Sequence, residues 1–421
     1  MRGIENGGFY LENPESDKDK EYYNRLKQLV DQGRVLVKLI IGPTRSASTL
    51  MEECLSKSPD IDYKCHEPLL AYNADGPIIN PSGYQLIYER IGGEIFEKSG
   101  QQATILIKDI TYWLYNSGEY KKLFDLAQDP ILFLIRNPFI TMESRMRKVA
   151  ESLPSNLDQL TKRAILSLCG HEGDEGLSDE GVFALYANMQ GFLSWEELLA
   201  HSFANHDYHS IGKVLEVSES WFNVDAWGSN SLEGQIAYLE GLRRSVILID
   251  STTFRLNAQA AAQAICSQWA IEYQDEMIYW GKGNLKLDER ADSIWFTRIA
   301  SSSGVEPPTE IPLLLAELPE FIQKQLLQKD LPAYARLMRH PAMIANHSIG
   351  DITFEMPLND QNLSRLLELG IINESDPQPR VTIQDVDPIF AVCKNPQLLN
   401  DASYLNRKRA YQDIFNIIRE S

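Results

Sequence analysis

Four short segments of the chain are almost continuously apolar and rich in β-branched side chains. Strands that are buried on both faces of a parallel sheet show this pattern, whereas half-exposed strands alternate between apolar and polar positions. We therefore predict buried parallel strands at Val35–Gly42, Ala103–Ile110, 130–136 and 245–250.

Segments with helical periodicity separate these runs. They lie at Tyr22–Gln32, after the segment 42–50 through residue 57, at 83–98, at 119–128, at Pro138–Ser152 and at 257–270. Strands that alternate with helices form βαβ units, whose helices cover both faces of a parallel sheet. The pattern therefore predicts an α/β fold with a parallel sheet flanked by helices.

The remaining segments predict helical additions to this sheet. Residues 153–243 are helix-rich and have no clear strand pattern, which indicates a helical insertion between two strands. From about residue 310 the pattern is again helical, with two helices predicted at 318–327 and 330–339. We therefore predict an α/β domain over 1–310 and a helical C-terminal extension over 311–421, within a length that allows two or three domains.

The net charge indicates which classes of partner are unfavourable, and the cysteine content indicates the redox compartment. The 421 residues include 40 basic and 59 acidic ones, a net charge of −19, which disfavours binding to nucleic acids or to anionic membranes. We see no apolar stretch of membrane-spanning length and no secretory signal in the polar N-terminus. The five cysteines are scattered, which is typical of a reduced, cytoplasmic protein. The oligomeric state stays open, and a homo-oligomer is possible.

The first predicted strand leads into the segment 42–50, with the sequence GPTRSASTL. A strand, a tight turn of small and hydroxyl residues and a helix N-terminus form a phosphate site, because backbone amides and the helix dipole converge there. Arg45 adds a permanent cation. The alternative is a turn in which Ser48 merely caps the helix. The segment lacks the Gly-Lys-[Ser/Thr] of a Mg-nucleotide loop, which disfavours a kinase or NTPase.

A second basic position follows the strand at 130–136. Arg136 ends that strand, Pro138 begins the next helix, and Ser144 lies about two turns into it. Open α/β sheets bind ligands at the carboxyl ends of their strands. We therefore expect Arg136 and Ser144 to meet an anion there.

The two motifs together resemble the sulfotransferases that use 3′-phosphoadenosine 5′-phosphosulfate (PAPS), in particular a soluble, bacterial branch of that family. The resemblance covers roughly residues 35–305. It implies a P-loop-type fold, PAPS as donor, PAP as product, no metal, and a small-molecule acceptor carrying a hydroxyl or an amine. By this resemblance the 5′-phosphosulfate binds the first motif and the 3′-phosphate binds the second; their residues are Arg45, Ser46, Ala47, Ser48 and Thr49, and Arg136 with Ser144.

Two departures from the family pattern stand out. Ala47 occupies a position where the family prefers glycine, so the loop must tolerate a Cβ there. The late glycine-rich Arg-Lys-Gly element is absent, and Lys282 and Lys286 are the candidates to replace it.

The same resemblance suggests the catalytic groups. Glu67, expected directly after the second sheet strand, is the candidate general base, and His66 competes for that role. Lys108 would approach the sulfuryl group or the acceptor, and Arg45 with the loop amides would cover the 5′ end of the donor. The alternatives are a surface Glu-Pro turn for Glu67 and, for Lys108, an edge-strand lysine paired with Asp109 or Asp250.

Other functions remain open at this point. Another P-loop phosphoryl or nucleotidyl transferase would require Mg²⁺, and a non-catalytic relative would bind PAP without transferring a group. The histidines at 201, 206 and 209 have only loose metal-like spacing, and we expect no metal there. Aromatic Tyr112 and Trp113 are candidates for the wall of an acceptor pocket.

Overall fold

The structure, a computed structural model, describes residues 17–73, 76–93, 101–111, 114, 117–155, 157–218, 229–281, 297–306, 317–326, 330–338 and 340–344. They belong to two compact units. The first unit is drawn from 1–134, 231–248 and 259–305, and the second from 135–230, 249–258 and 306–421.

Seven strands and a larger set of helices follow one another along the described chain. The first part contains α1 (Asp17–Asp31), β1 (Val35–Gly42), α2 (Ser48–Leu55), β2 (Tyr63–His66), β3 (Leu70–Asn73), β4 (Gly76–Ile79), α3 (Gly83–Arg90), β5 (Ala103–Ile110), α4 (Tyr120–Leu126) and β6 (Ile131–Ile135). The middle part contains α5 (Pro138–Ser152), α6 (Gln159–Leu168), α7 (Asp179–Met189), α8 (Trp195–Asn205), α9 (His209–Val217) and α10 (Ser229–Gly241). The last part contains β7 (Val246–Asp250), α11 (Ser251–Leu256), α12 (Ala258–Trp269), α13 (Thr297–Ser301), α14 (Glu320–Gln325) and α15 (Leu331–Met338).

The main sheet has five strands in the order β2-β5-β1-β6-β7. Strand β1 pairs in parallel with β5 along its whole length and with β6 near its carboxyl end, and β2 pairs in parallel with β5. The inner strands are buried almost throughout their length, as expected for a parallel sheet flanked by helices. The predicted α/β class with a parallel sheet and flanking helices is confirmed.

Three short strands of the first unit lie between β1 and β5 along the chain. The short strand β2 has the sequence YKCH and occupies one edge of the sheet. Strands β3 and β4 form a separate antiparallel hairpin, with Leu70 opposite Ile79. The turn between β2 and β3 therefore sits beside the carboxyl end of β5, where Glu67 N donates to Lys108 O at 2.7 Å.

The described part of 153–243 is helical, as predicted. Three of its helices begin at polar capping residues: Asp158 accepts from Thr161 N, Ser178 from Gly181 N and Ser194 from Glu197 N. Within the second unit, Trp195 Nε1 donates to Ala150 O at 3.0 Å and joins α8 to α5.

Helices α14 and α15 fall within the two helices predicted at 318–327 and 330–339. Most of the predicted extension over 311–421 lies outside the described residues, so the boundary at residue 310 stays a prediction. None of the helices in the described part of the chain combines the length and apolar character that crossing a bilayer requires. A cytoplasmic location also stays a prediction.

Candidate functional site

The phosphate loop connects β1 to α2 and bends sharply. Arg45 and Ala47 have left-handed backbones, with φ values of 63° and 66°, and Ser46 N donates to Pro43 O at 3.3 Å. Ala47 is the N-cap of α2 and offers no side-chain acceptor, so the idea that Ser48 caps this helix is wrong. The first amides of α2 have no intrahelical acceptor and are available to an anion.

A hydroxyl inside this loop also lacks a protein partner. Ser46 is fully buried, and among the described residues nothing forms a hydrogen bond with its Oγ. Buried hydroxyls without a partner are costly, which makes this oxygen a fit for a ligand oxygen. Gly42 permits the arrangement, because a Cβ at this position would lie 2.7 Å from Ser46 Oγ and 3.3 Å from Leu134 O.

Glu67 directly follows β2, as predicted, and its left-handed backbone (φ 45°) turns the chain towards β5. Its carboxylate forms an ion pair with Lys108, whose side chain is only 2% exposed, while that of Glu67 is 16% exposed. The interpretation of Glu67 as part of a surface turn is therefore wrong. Strand β5 is an interior strand, so the interpretation of Lys108 as an edge-strand lysine is also wrong.

Asp109 holds the turn that carries Glu67. It accepts hydrogen bonds from Leu69 N at 3.2 Å and from Ile110 N at 2.7 Å. Burial, and then the nearby Glu67 carboxylate, raise the pKa of Asp109 to about 7. The turn therefore rests on a carboxyl group that changes its charge near neutral pH.

His66 lies between two carboxylates. Its Nδ1 forms a hydrogen bond with Glu52 Oε2, and its Nε2 lies 3.5 Å from Glu67 Oε1. Register places His66 beside Lys108 on the same face of the sheet, and Glu52 reaches that face from α2. The sequence makes His66 a candidate but gives no signal for Glu52, because a glutamate inside a helix has no pattern that predicts burial.

Arg136 and Ser144 belong to the second unit. Arg136 is buried directly after β6, and Asn137 caps α5 by accepting from Phe139 N at 3.0 Å. Ser144 is half-buried on α5. Asp250 lies in the same unit; burial raises the pKa of its carboxyl, against lowering contributions from groups that include Tyr334 and Arg136.

The helices of the second unit also hold a charged cluster, defined by Glu143, Arg147, His206 and Tyr208. Glu143 Oε1 accepts from Arg147 Nη2 at 2.7 Å and from Tyr208 Oη at 2.8 Å, and His206 Nδ1 lies 3.4 Å away. These contacts tie α5 to the chain between α8 and α9. In the described part of the chain, no group of three or more His, Cys, Asp or Glu side chains could hold a metal ion.

Several candidates from the sequence lie outside the described residues. They are Tyr112, Trp113, Lys282 and Lys286. Their predicted roles stay predictions.

Comparison with known proteins gives matches only among solved structures. No protein-family model and no curated protein matches the chain. A sulfotransferase from Alicyclobacillus acidocaldarius is 14% identical, covers 73% of this chain and 94% of its own length, and has a TM-score of 0.34. The sulfotransferase domain from the curacin biosynthetic pathway is 13% identical, covers 80% of this chain and 97% of its own length, and has a TM-score of 0.29.

Proposed function

We propose that this protein is a sulfotransferase that moves a sulfuryl group from PAPS to a hydroxyl or amine of a small-molecule acceptor. One juxtaposition in the first unit carries the proposal. At the carboxyl end of β1, α2 begins without a side-chain cap, and the buried Ser46 hydroxyl has no hydrogen-bond partner among the described residues. The Glu67–Lys108 pair lies towards the carboxyl ends of β2 and β5, and β5 is the neighbour of β1. Such a site offers an anion-binding group and a carboxylate to the same reaction.

The loop residues suit the phosphosulfate end of the donor. The amides at the start of α2 and the hydroxyls of Ser46, Ser48 and Thr49 supply hydrogen-bond donors, and Arg45 supplies a guanidinium. Sulfuryl transfer, like phosphoryl transfer, depends on positioning and on stabilisation of charge on the non-bridging oxygens. Arg136 and Ser144 would take the 3′-phosphate, as the sequence resemblance implies.

Glu67 would accept the proton of the acceptor. The acceptor oxygen or nitrogen forms a bond to sulfur, the bond from sulfur to the bridging oxygen of PAPS breaks, and PAP leaves. The acceptor's proton passes to the Glu67 carboxylate, a transfer of the kind that contributes about 10²–10⁴-fold to rates. Lys108 would balance the charge of Glu67 and orient it.

The first experiment is calorimetric titration of the full chain with PAP, with Mg-ATP as the competing ligand. We expect micromolar binding of PAP and a loss of at least about tenfold in affinity for Arg136→Ala. Arg163→Ala is the matched control, because Arg163 is an exposed arginine of the second unit that pairs with Glu175. Binding of Mg-ATP without binding of PAP would favour a different P-loop transferase and overturn the proposal.

A second experiment separates a transferase from a protein that only binds PAP. Transfer from PAPS is measured against a panel of hydroxyl- and amine-bearing small molecules. Glu67→Gln should reduce turnover by about 10²-fold or more and leave the affinity for PAP within a factor of about three. Wild-type protein that binds PAP but transfers to no acceptor would point to the non-catalytic alternative.

A further inference from the structure

The contacts of His66 extend the Glu67 site into the interior of the first unit. Glu52 on α2, His66 at the end of β2 and Glu67 after it form a line in which the imidazole lies between the two carboxylates. The proposed function uses only the last member of this line. Glu52, the first member, is fully buried.

Burial makes Glu52 an unusual residue to find there. Its side chain is 0% exposed, and within the described residues no donor reaches its second oxygen, Oε1. An ionised carboxylate taken out of water is strongly unfavourable unless it is paired with a cation or a strong hydrogen-bond donor. His66 is the partner that Oε2 has, so the carboxylate and the imidazole stabilise each other.

An ionised Glu52 carboxylate can only accept a hydrogen bond, and this determines what the other ring nitrogen of His66 can do. A carboxylate facing Nδ1 holds the proton on Nδ1 and stabilises the ring when it becomes positively charged. Nε2 then faces Glu67 as a proton acceptor, at 3.5 Å from its Oε1. The same oxygen, Glu67 Oε1, also forms the ion pair with Lys108.

We propose that Glu52, His66 and Glu67 form a proton relay, in which Glu52 positions His66 and His66 takes up the proton that Glu67 receives. The inference rests on the proposed function, because it concerns the proton that sulfuryl transfer releases. The proton moves from the acceptor hydroxyl to Glu67 and then to His66 Nε2, while the Nδ1 proton stays on the ring. The relay thus regenerates the Glu67 carboxylate during transfer. Because Nε2 is buried and faces Glu67, the proton returns through Glu67 to solvent after the product leaves.

The charged residues around the three relay residues include one that provides a control variant. Lys108 faces the same oxygen of Glu67, and Asp109 holds its turn from the opposite face of the sheet. One residue after Glu52 on α2, Glu53 forms an ion pair with Lys64, which lies on β2 two residues before His66. Glu53→Gln therefore breaks a partly buried contact between the same two elements without touching His66.

The first test reads the histidine directly and does not depend on turnover. The ¹⁵N chemical shifts of His66 are measured in wild-type protein, Glu52→Gln and Glu53→Gln. We expect the Nδ1–H form in wild-type protein and in Glu53→Gln, and a change of tautomer population in Glu52→Gln. A wild-type ring that carries its proton on Nε2 in its neutral form would overturn the relay.

The second test measures turnover at saturating PAPS across pH, together with the affinity for PAP. We expect Glu52→Gln and His66→Gln each to lower kcat at least about tenfold, and the double variant to be no slower than the slower single variant. Glu53→Gln should keep kcat within a factor of about three. His66→Gln also keeps the test decisive if Glu52→Gln does not fold.

The outcomes separate this inference from the proposed function. Equal kcat values and pH profiles for wild-type, Glu52→Gln and His66→Gln proteins would overturn the relay and leave the sulfotransferase proposal intact. Wild-type protein that neither binds PAP nor transfers a sulfuryl group would overturn the proposed function, and the relay with it, whatever the ¹⁵N shifts show.

Discussion

Glu67 and Lys108 are joined twice. The amide of Glu67 donates to the carbonyl oxygen of Lys108 at 2.7 Å, and the ammonium of Lys108 pairs with the Glu67 carboxylate. The backbone bond fixes where the turn after β2 meets β5, and the side-chain bond fixes which way the carboxylate points. A residue predicted as a base and a residue predicted as a cation are thus one structural unit.

Lys108→Met should test the importance of this unit. Methionine fills the same space but leaves the Glu67 carboxylate without its cation, so we expect kcat to fall by about 10²-fold with the affinity for PAP nearly unchanged. Lys64→Met is the control, because Lys64 lies on the neighbouring strand and pairs with Glu53 instead. Equal activity of the two variants in a PAPS transfer assay would contradict the assigned role.

Ala47→Gly should stabilise the protein. A left-handed backbone costs a non-glycine residue about 1–2 kcal/mol, and glycine removes that cost while adding entropy to the unfolded chain. We expect the free energy of unfolding to rise by about 0.5–1 kcal/mol in denaturant titrations. Ala200→Gly, at an exposed position inside α8, should instead lower it by about 1 kcal/mol. A loss of stability for Ala47→Gly would mean that the loop is not strained at this residue.

Gly42→Ala should impair the phosphate loop through steric overlap. The added methyl would meet Ser46 Oγ at 2.7 Å, which forces the hydroxyl or the loop to move. We expect the affinity for PAP to fall at least about tenfold and the free energy of unfolding to fall by about 1–3 kcal/mol. Gly241→Ala is the matched control, since its Cβ would have nothing within 4 Å. Unchanged PAP affinity in Gly42→Ala would show that Ser46 does not belong to the donor site.

The carboxyl of Asp109 should make stability depend on pH. Its pKa rises from 3.8 to about 7 on folding, so the native state binds more protons than the unfolded state between these values. The stabilisation is present below about pH 4 and is lost as the pH rises towards 7, with a slope of at most about 1.4 kcal/mol per pH unit. Unfolding titrations across this range should show a flatter profile for Asp109→Asn.

Asp62→Asn is the control for this pH profile. Asp62 also accepts from a backbone amide of β5, Thr104 N at 2.8 Å, but at an exposed position. If Asp109→Asn and Asp62→Asn flatten the profile equally, the raised pKa of Asp109 is not its source.

The sheet was largely predictable from the sequence, and the reason is burial. Strands β1 and β5 lie inside the sheet with helices over both faces, so their sequences are continuous apolar runs that stand out from the rest of the chain. Strand β2 gave no such signal. It has four residues at the sheet edge, and its Lys64 and His66 are polar because each contacts a glutamate of α2.

The site was predictable only where a local motif defines it. Arg45 to Thr49 follow one strand and begin one helix, so neighbouring residues in the sequence remain neighbours in the structure. Glu52 has no local signal. Its burial depends on a histidine 14 residues further along the chain, which the folding of β2 against β5 brings beneath α2.

The contact between Tyr334 and Asp250 has a consequence for the design of shortened proteins. Tyr334 Oη, from the buried face of α15, donates at 3.2 Å to a carboxylate that also caps α11 through Thr252 N and Thr253 N. A protein that ends before α15 would lack Tyr334, and the fully buried Asp250 carboxyl, which lies near Arg136, would lose this hydrogen-bond donor. An expression fragment intended to retain the second unit should therefore extend at least through Met338.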